Sequence, residues 1–257
     1  MSQRFPQLLL LLLLVTSCKN ESEKKELPPL EFEAVSVIKK YGEGCHTDDF
    51  NCSIISLDLP KASGPEQVAE KINARLREHV FSLVFSEEAT EAQTYEEYAK
   101  EFIANKKRVE EEFGEAVPWK AIVTGEVISE FENLVSIAVV SEIFTGGAHG
   151  YASTSFFNFN PHTGEAFEHG DLFTEEFVDY AEKAFREQTG IPEGEPINST
   201  GFWFEEEVFK LPINIGITEE EVILIYNSYE IASYAEGDFR LEFPLEEVEP
   251  YLKISLE

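Results

Sequence analysis

The chain has 257 residues, 43% of them hydrophobic, and its 50 acidic against 20 basic side chains give a formal net charge of −30. A surface this acidic excludes the basic footprint of a nucleic-acid binder; it suits a cationic partner, which its field would draw in, or simply solubility outside the cell. The Phe, Ile, Leu and Val content is enough to core one large domain or two small ones.

Residues 1–17 read as a lipoprotein signal peptide. Arg4 supplies the positive n-region, and residues 8–15 are an unbroken run of Leu and Val. That run is shorter than the ~20 apolar residues a membrane span needs and has the length of a signal-peptide h-region. Val15-Thr16-Ser17-Cys18 resembles a bacterial lipobox. Its small residues let the signal peptidase reach the backbone, and the thiol is the nucleophile that takes the diacylglyceryl group. Cys18 is therefore expected to carry lipid and to hold the chain at a membrane, firmly if two or more acyl chains such as palmitate are attached. Residues 18–30 read as a tether: they are mostly polar, they close on Pro28-Pro29, and they cannot bury enough apolar surface to fold. Lys19 after the cysteine, with Glu21 and Glu23 close by, points to the outer membrane, facing the periplasm or the surface.

With Cys18 committed to lipid, Cys45 and Cys52 remain as a close pair. In an oxidising envelope this predicts a disulfide. The rival is zinc held by Cys45, His46 and Cys52, which leaves a tetrahedral structural site one ligand short. The alternation over 31–40 predicts a strand, and 52–59 predicts another, ended by Pro60. Gly64-Pro65 opens a helix, since Pro is tolerated in a first turn, with a stripe of Val68, Ile72, Leu76 and Val80 widened by Ala69, Leu83 and Val84. A second helix is expected over 95–113, with Tyr98, Phe102, Ile103 and Val109 on its apolar side and Gly114 after it.

Residues 118–129 and 134–144 read as a hairpin around 130–133, the second strand apolar on both faces at its centre. Residues 151–160 form a further strand closed by the turn 160–164. Thr174 is a good N-cap for a third helix, with Glu175 and Glu176 complementing its dipole and Gly190 as its C-cap. Short strands are expected at 208–211, 222–226, 239–243 and 252–255. Meandering strands with about three segregated helices make the fold class α+β, with mostly antiparallel sheets.

Two segments of the second half carry a family resemblance. One is Phe144-Thr145-Gly146-Gly147-Ala148-His149-Gly150, followed by 156–160, Thr163-Gly164-Glu165 and Asp171-Leu172-Phe173. The other is the run 229–237, Tyr-Glu-Ile-Ala-Ser-Tyr-Ala-Glu-Gly, ahead of the strand at Phe239. Together they resemble the C-terminal domain of the PdaC/RsiV-like superfamily, and the first half is similar, in its order of elements, to that superfamily's N-terminal domain. The resemblance implies a two-part α+β protein, divided as 31–139 and 140–257, outside a membrane. Relatives include the sensing part of an anti-sigma factor that binds lysozyme and a non-catalytic region attached to a peptidoglycan deacetylase. Where relatives often place Pro before the second Tyr, this chain has Ser233. Neither deacetylation nor sigma-factor control carries over.

His149 is the obvious catalytic temptation, in a glycine-rich loop after a buried strand, with His162, His169, Glu165, Glu168 and Asp171 following. The spacing matches no metal-ligand pattern, and Gly146, Gly147 and Gly150 permit a tight connection in which His149 would hydrogen-bond backbone groups. Tyr229 and Tyr234 read as half-buried loop anchors or as interface aromatics. The expectation is an envelope lipoprotein that binds without catalysis, with no cofactor or metal. Its partner would be lysozyme or another cationic protein, or peptidoglycan. A metal-dependent hydrolase using His149 and a purely structural module are the alternatives. Whether the loops 146–150 and 229–237 meet is the observation that bears most on the choice.

Overall fold

A computed structural model describes residues 28–42, 45, 52–84, 90–114 and 117–257. The expected signal peptide, Cys18 and most of the expected tether lie outside the described residues, as does His46. Five strands, β1 (Glu31–Tyr41), β2 (Ser53–Ser63), β3 (Lys120–Glu130), β4 (Val135–Phe144) and β5 (Tyr151–Phe159), form one sheet in that order. All its pairs are antiparallel except β2–β3. That one parallel pair, unforeseen from the sequence, needs a long crossover. The crossover consists of α1 (Glu66–Ser82) and α2 (Tyr95–Phe113), which cover one face of the sheet.

Both helices are locally encoded. Pro65 stands at the N-cap of α1, and Val68, Ala69, Ile72, Leu76 and Val80 are all buried. The start of α2 is a capping box: Thr94 Oγ1 accepts from Glu97 N–H, and Glu97 accepts from Thr94 N–H, each at 3.2 Å. Gly114 ends it in the left-handed conformation. Their stripes meet Ile55, Leu57, Leu59, Val123, Ile137, Val139 and Phe159 in the first core. β2 runs on through Pro60, where the sequence predicts its end. Its ladder to β3 stops at Asp58, so a missing N–H at 60 breaks no bond on that side.

The second sheet is antiparallel, in the order β6 (Asn214–Ile217), β7 (Glu221–Tyr226), β8 (Phe239–Pro244). Around it lie α3 (His169–Leu172), α4 (Glu175–Thr189) and α5 (Leu245–Val248). Phe177, Ala181 and Phe185 of α4 pack with Leu224, Tyr226, Leu241 and Phe243 in a second core. Two expected strands are absent. Residues 208–211 follow a turn at Glu205–Glu207 and precede Pro212, which has no N–H to donate; the strand begins past it, at Asn214. Of 252–255, only Leu252 makes an isolated bridge, to Phe173.

The two sheets join through a polar seam. Ser129, Ser136 and Asn158 are register partners across β3, β4 and β5, so they form one row, and all three bond the backbone of β6. Ser129 Oγ donates to Ile217 C=O at 2.5 Å, Ile217 N–H donates to Ser136 Oγ at 3.3 Å, and Asn158 Nδ2 donates to Ile215 C=O at 2.7 Å. Side chains thus satisfy the edge of β6 that β7 leaves open. β4 is accordingly buried on both faces only over its first half, and Val140 is exposed. The expected division at 139/140 falls inside β4, while β5 belongs to the same sheet as β1.

Candidate functional site

The loops 146–150 and 229–237 meet. The His149 ring stacks on Tyr234 with centroids 4.0 Å apart and planes at 21°. Tyr234 Oη donates to Gly150 C=O at 3.1 Å, and Tyr229 lies 5.5 Å from Tyr234, ring to ring. Gly146 and Gly147, at φ 110° and 91°, make the turn that returns β4 toward this contact, a conformation side chains resist. The result is an exposed aromatic ridge: Tyr229 is 52% and Tyr234 37% accessible.

Asn227 fixes the ridge to the large sheet. Its Oδ1 accepts from Thr154 N–H at 2.8 Å and its Nδ2 donates to Thr154 C=O at 3.0 Å. One side-chain amide thereby mimics a ladder partner on β5, the last strand of its sheet. The same Nδ2 donates to Glu230 Oε1 at 3.2 Å, and Asn214 Nδ2 donates there at 3.3 Å. Burial holds the Glu230 carboxyl above the usual carboxylate range, against the pull of the Asn227 and Asn214 hydrogen bonds. Asp238 accepts from Ser228 N–H and Oγ, both at 2.8 Å. Trp203, 47% accessible, donates its indole N–H to Glu230 C=O at 3.2 Å.

The other sequence-derived candidates do not converge. His149 Nδ1 lies 2.9 Å from Gly150 C=O, the backbone role expected of it. His169 Nε2 lies 3.1 Å from Ile213 C=O, and Glu165 pairs with Lys71 at 3.1 Å. Asp171 accepts from Glu168 N–H at 3.1 Å as a helix cap. Among the described residues no group of three or more His, Cys, Asp or Glu could hold a metal ion. Cys45 and Cys52 are joined in a disulfide with Cα atoms 5.3 Å apart, which removes both thiolates from the zinc alternative. Tyr234 is both an anchor and an exposed face. Tyr229, at φ 73°, is exposed rather than half-buried.

A cleft of about 430 Å³ was not legible in the sequence. It is bordered by Arg75 and His79 of α1, by β5, and by Asn214, Asn227 and Glu230. His79 packs edge-on to Phe157 at 4.9 Å, and the Arg75 guanidinium lies 5.5 Å above the same ring. Burial, then the Arg75 charge, pushes His79 down to about 4. The polar residues of β4 and β5 were the available signal, but strands that face solvent carry polar residues too.

Comparison with known proteins matches two family descriptions to the two parts of the chain: "Deacetylase PdaC" to residues 46–152 and "Protein of unknown function (DUF3298)" to residues 170–246. Among solved structures, a member of the DUF3298 family from Bacteroides fragilis is similar with a TM-score of 0.63 and 20% identity, over 88% of this chain and 95% of that one. A DUF3298 family protein from Pseudomonas aeruginosa is similar with a TM-score of 0.60 and 20% identity, over 88% of this chain and 94% of that one. At such identity the likeness concerns the fold alone. No curated protein matches the chain.

Proposed function

We propose, from the premise that the chain is a PdaC/DUF3298-like protein of the cell envelope, that it is a non-catalytic binding module tethered to a membrane through Cys18. Its working face is the ridge of His149, Tyr234 and Tyr229, and its partner is a cationic envelope-active protein of the lysozyme kind. One observation carries this reading. Two segments some 80 residues apart in sequence converge on a ridge that hydrogen bonds hold in place and whose rings remain exposed. Rigid half-exposed tyrosines are the residues that dominate protein interfaces, and Tyr229 holds its place at a backbone angle that costs a side-chain-bearing residue roughly 1–3 kcal/mol. The net charge of −30 favours encounter with a cation. The non-catalytic part rests on His149, whose ring stacks on Tyr234 and whose Nδ1 lies against Gly150 C=O; among the described residues it belongs to no group of three or more His, Cys, Asp or Glu that could hold a metal ion.

Calorimetric titration with lysozyme at about 0.15 M salt tests the partner. Binding is expected, weakened about tenfold or more by Tyr229→Ala or Tyr234→Ala. No heat at that salt sinks the lysozyme version, and retention on purified cell-wall sacculi would then favour the glycan. Release of acetate from cell-wall glycan by the purified chain would overturn the non-catalytic part. Labelling with an alkyne fatty acid checks the anchor: label that survives Cys18→Ser refutes it.

A further inference from the structure

The cleft beside β5 holds polar groups that the ridge does not use. Asn158 is only 6% accessible and lines it. Its Nδ2 donates to Ile215 C=O, which fixes the amide's orientation and leaves Oδ1 buried with no partner. That oxygen is closed off from solvent beneath β6, so the groups a ligand can reach lie along the edge of β5 and on its neighbours. Thr154 turns its N–H and C=O away from β4 toward Asn227, and Asn158 turns its C=O toward Phe167 N–H at 2.8 Å. Antiparallel alternation turns the N–H and C=O of Phe156, between them, the same way. They offer the cleft a backbone donor and acceptor side by side.

We infer that this cleft binds a neutral, hydroxyl-rich ligand of the saccharide class. Its volume of about 430 Å³ falls within the range of small-molecule sites. Its donors and acceptors are interleaved and of no single sign. The Glu230 carboxylate accepts, Arg75 and the Phe156 N–H donate, and the hydroxyl of Ser155 does both. An anion would sit against Glu230. A cation would sit against Arg75. An apolar ligand would cover the Phe156 N–H and the Ser155 hydroxyl without giving either a partner. A hydroxyl donates and accepts at one atom, so several on one ring meet such a lining. The assignment does not depend on the ridge having a protein partner.

Saturation-transfer NMR and calorimetry on the purified chain test it, with chitotriose and maltotriose as probes. Transfer to at least one of them is expected. Ser155→Trp, which fills the cleft, and Glu230→Ala, which removes its half-buried acceptor, should each weaken binding about tenfold or more, while Tyr234→Ala on the ridge should leave it unchanged. The proposal is overturned if neither trisaccharide shows transfer, or if binding is as tight in a folded Ser155→Trp variant. If that variant does not fold, unchanged affinity in Glu230→Ala overturns it equally. Displacement of the bound sugar by inorganic sulfate or by lysine amide would reassign the cleft to ions and also overturn it. Loss of lysozyme binding in Tyr234→Ala with sugar binding intact would show the two sites to be separate.

Discussion

Replacing Asn227 by Ala should loosen the ridge from the sheet. Asn227 is 5% accessible and makes three hydrogen bonds, two to the Thr154 backbone and one to Glu230. Each is worth about 1 kcal/mol net, and a buried group left unpaired costs about 1–3 kcal/mol. Thr154 is only partly buried, so water recovers some of the loss at its N–H and C=O. A total of about 2–3 kcal/mol follows from the lower ends of those ranges. For a chain of this size each kcal/mol moves the melting temperature by about 2–4 °C, so Asn227→Ala should melt about 4–12 °C below the wild type by calorimetry. Asn227→Asp keeps the acceptor for Thr154 N–H but loses both donated bonds and sets a carboxylate beside Glu230, so it should do no better. Amide exchange at Thr154 should rise with the melting change. A shift of less than about 1 °C would refute the claim that this amide pins the two parts together.

Three further outcomes follow from the packing and the titrating groups. The Cys45→Ser/Cys52→Ser double variant opens a loop with a sequence separation of 7; chain entropy puts its cost at about 2.5 kcal/mol, read as a fall of about 5–10 °C on melting, and no fall would place the disulfide's effect elsewhere. Gly216→Ala sets a Cβ 2.5 Å from the Phe156 ring, an overpacking that should cost about 1–3 kcal/mol, checked by urea denaturation, with recovery expected in Gly216→Ala/Phe156→Leu. His79 is held below its ordinary pKa, at about 4, so the fold favours its neutral form. Its contribution is present above pH about 6.5 and is lost as the pH falls toward about 4. The stability of the wild type relative to His79→Gln should therefore decline over that window, and parallel pH profiles would refute the assignment.

The fold was legible where local rules and tertiary demands agree. The stripe of α1, the capping box and C-terminal Gly of α2, and the hairpin of β3 and β4 all obey short-range patterns. What failed were the places where a distant partner decides. Pro60 does not end its strand because β3 has already stopped pairing at Asp58, a fact about a segment some 60 residues away. Residues 208–211 alternate like a strand, yet Pro212 and the left-handed Glu206 and Glu207 give them no ladder. β6 was missed because its outer edge is completed by Ser129, Ser136 and Asn158 rather than by another strand. No spacing in the sequence marks those three as partners of 214–217. The cleft escaped for the same reason, since no spacing in the chain links Arg75 to Asn158 and Glu230.

Charge alone does not select a partner, because acids are spread over the whole chain and many are already paired. Glu96, Glu110, Glu182 and Glu205 each have a Lys or Arg within 4.0 Å. Glu206 and Glu207 differ. Among the described residues no cation lies within that distance of either, and both stand at positive φ, 56° and 55°. With Tyr229 they are the only non-glycine residues among those described in that region, and all three lie in segments that flank the Trp203–Glu230 contact. Strain of roughly 1–3 kcal/mol at each persists only where surrounding bonds impose it. Here the Trp203 N–H bonds to Ile231 C=O and the Glu207 N–H bonds to Phe204 C=O. Glu206, Glu207 and Tyr229 are thus held at positive φ in two segments that the Trp203 side chain and backbone tie together through Glu230 and Ile231, so loosening that tie should relax the strain at all three.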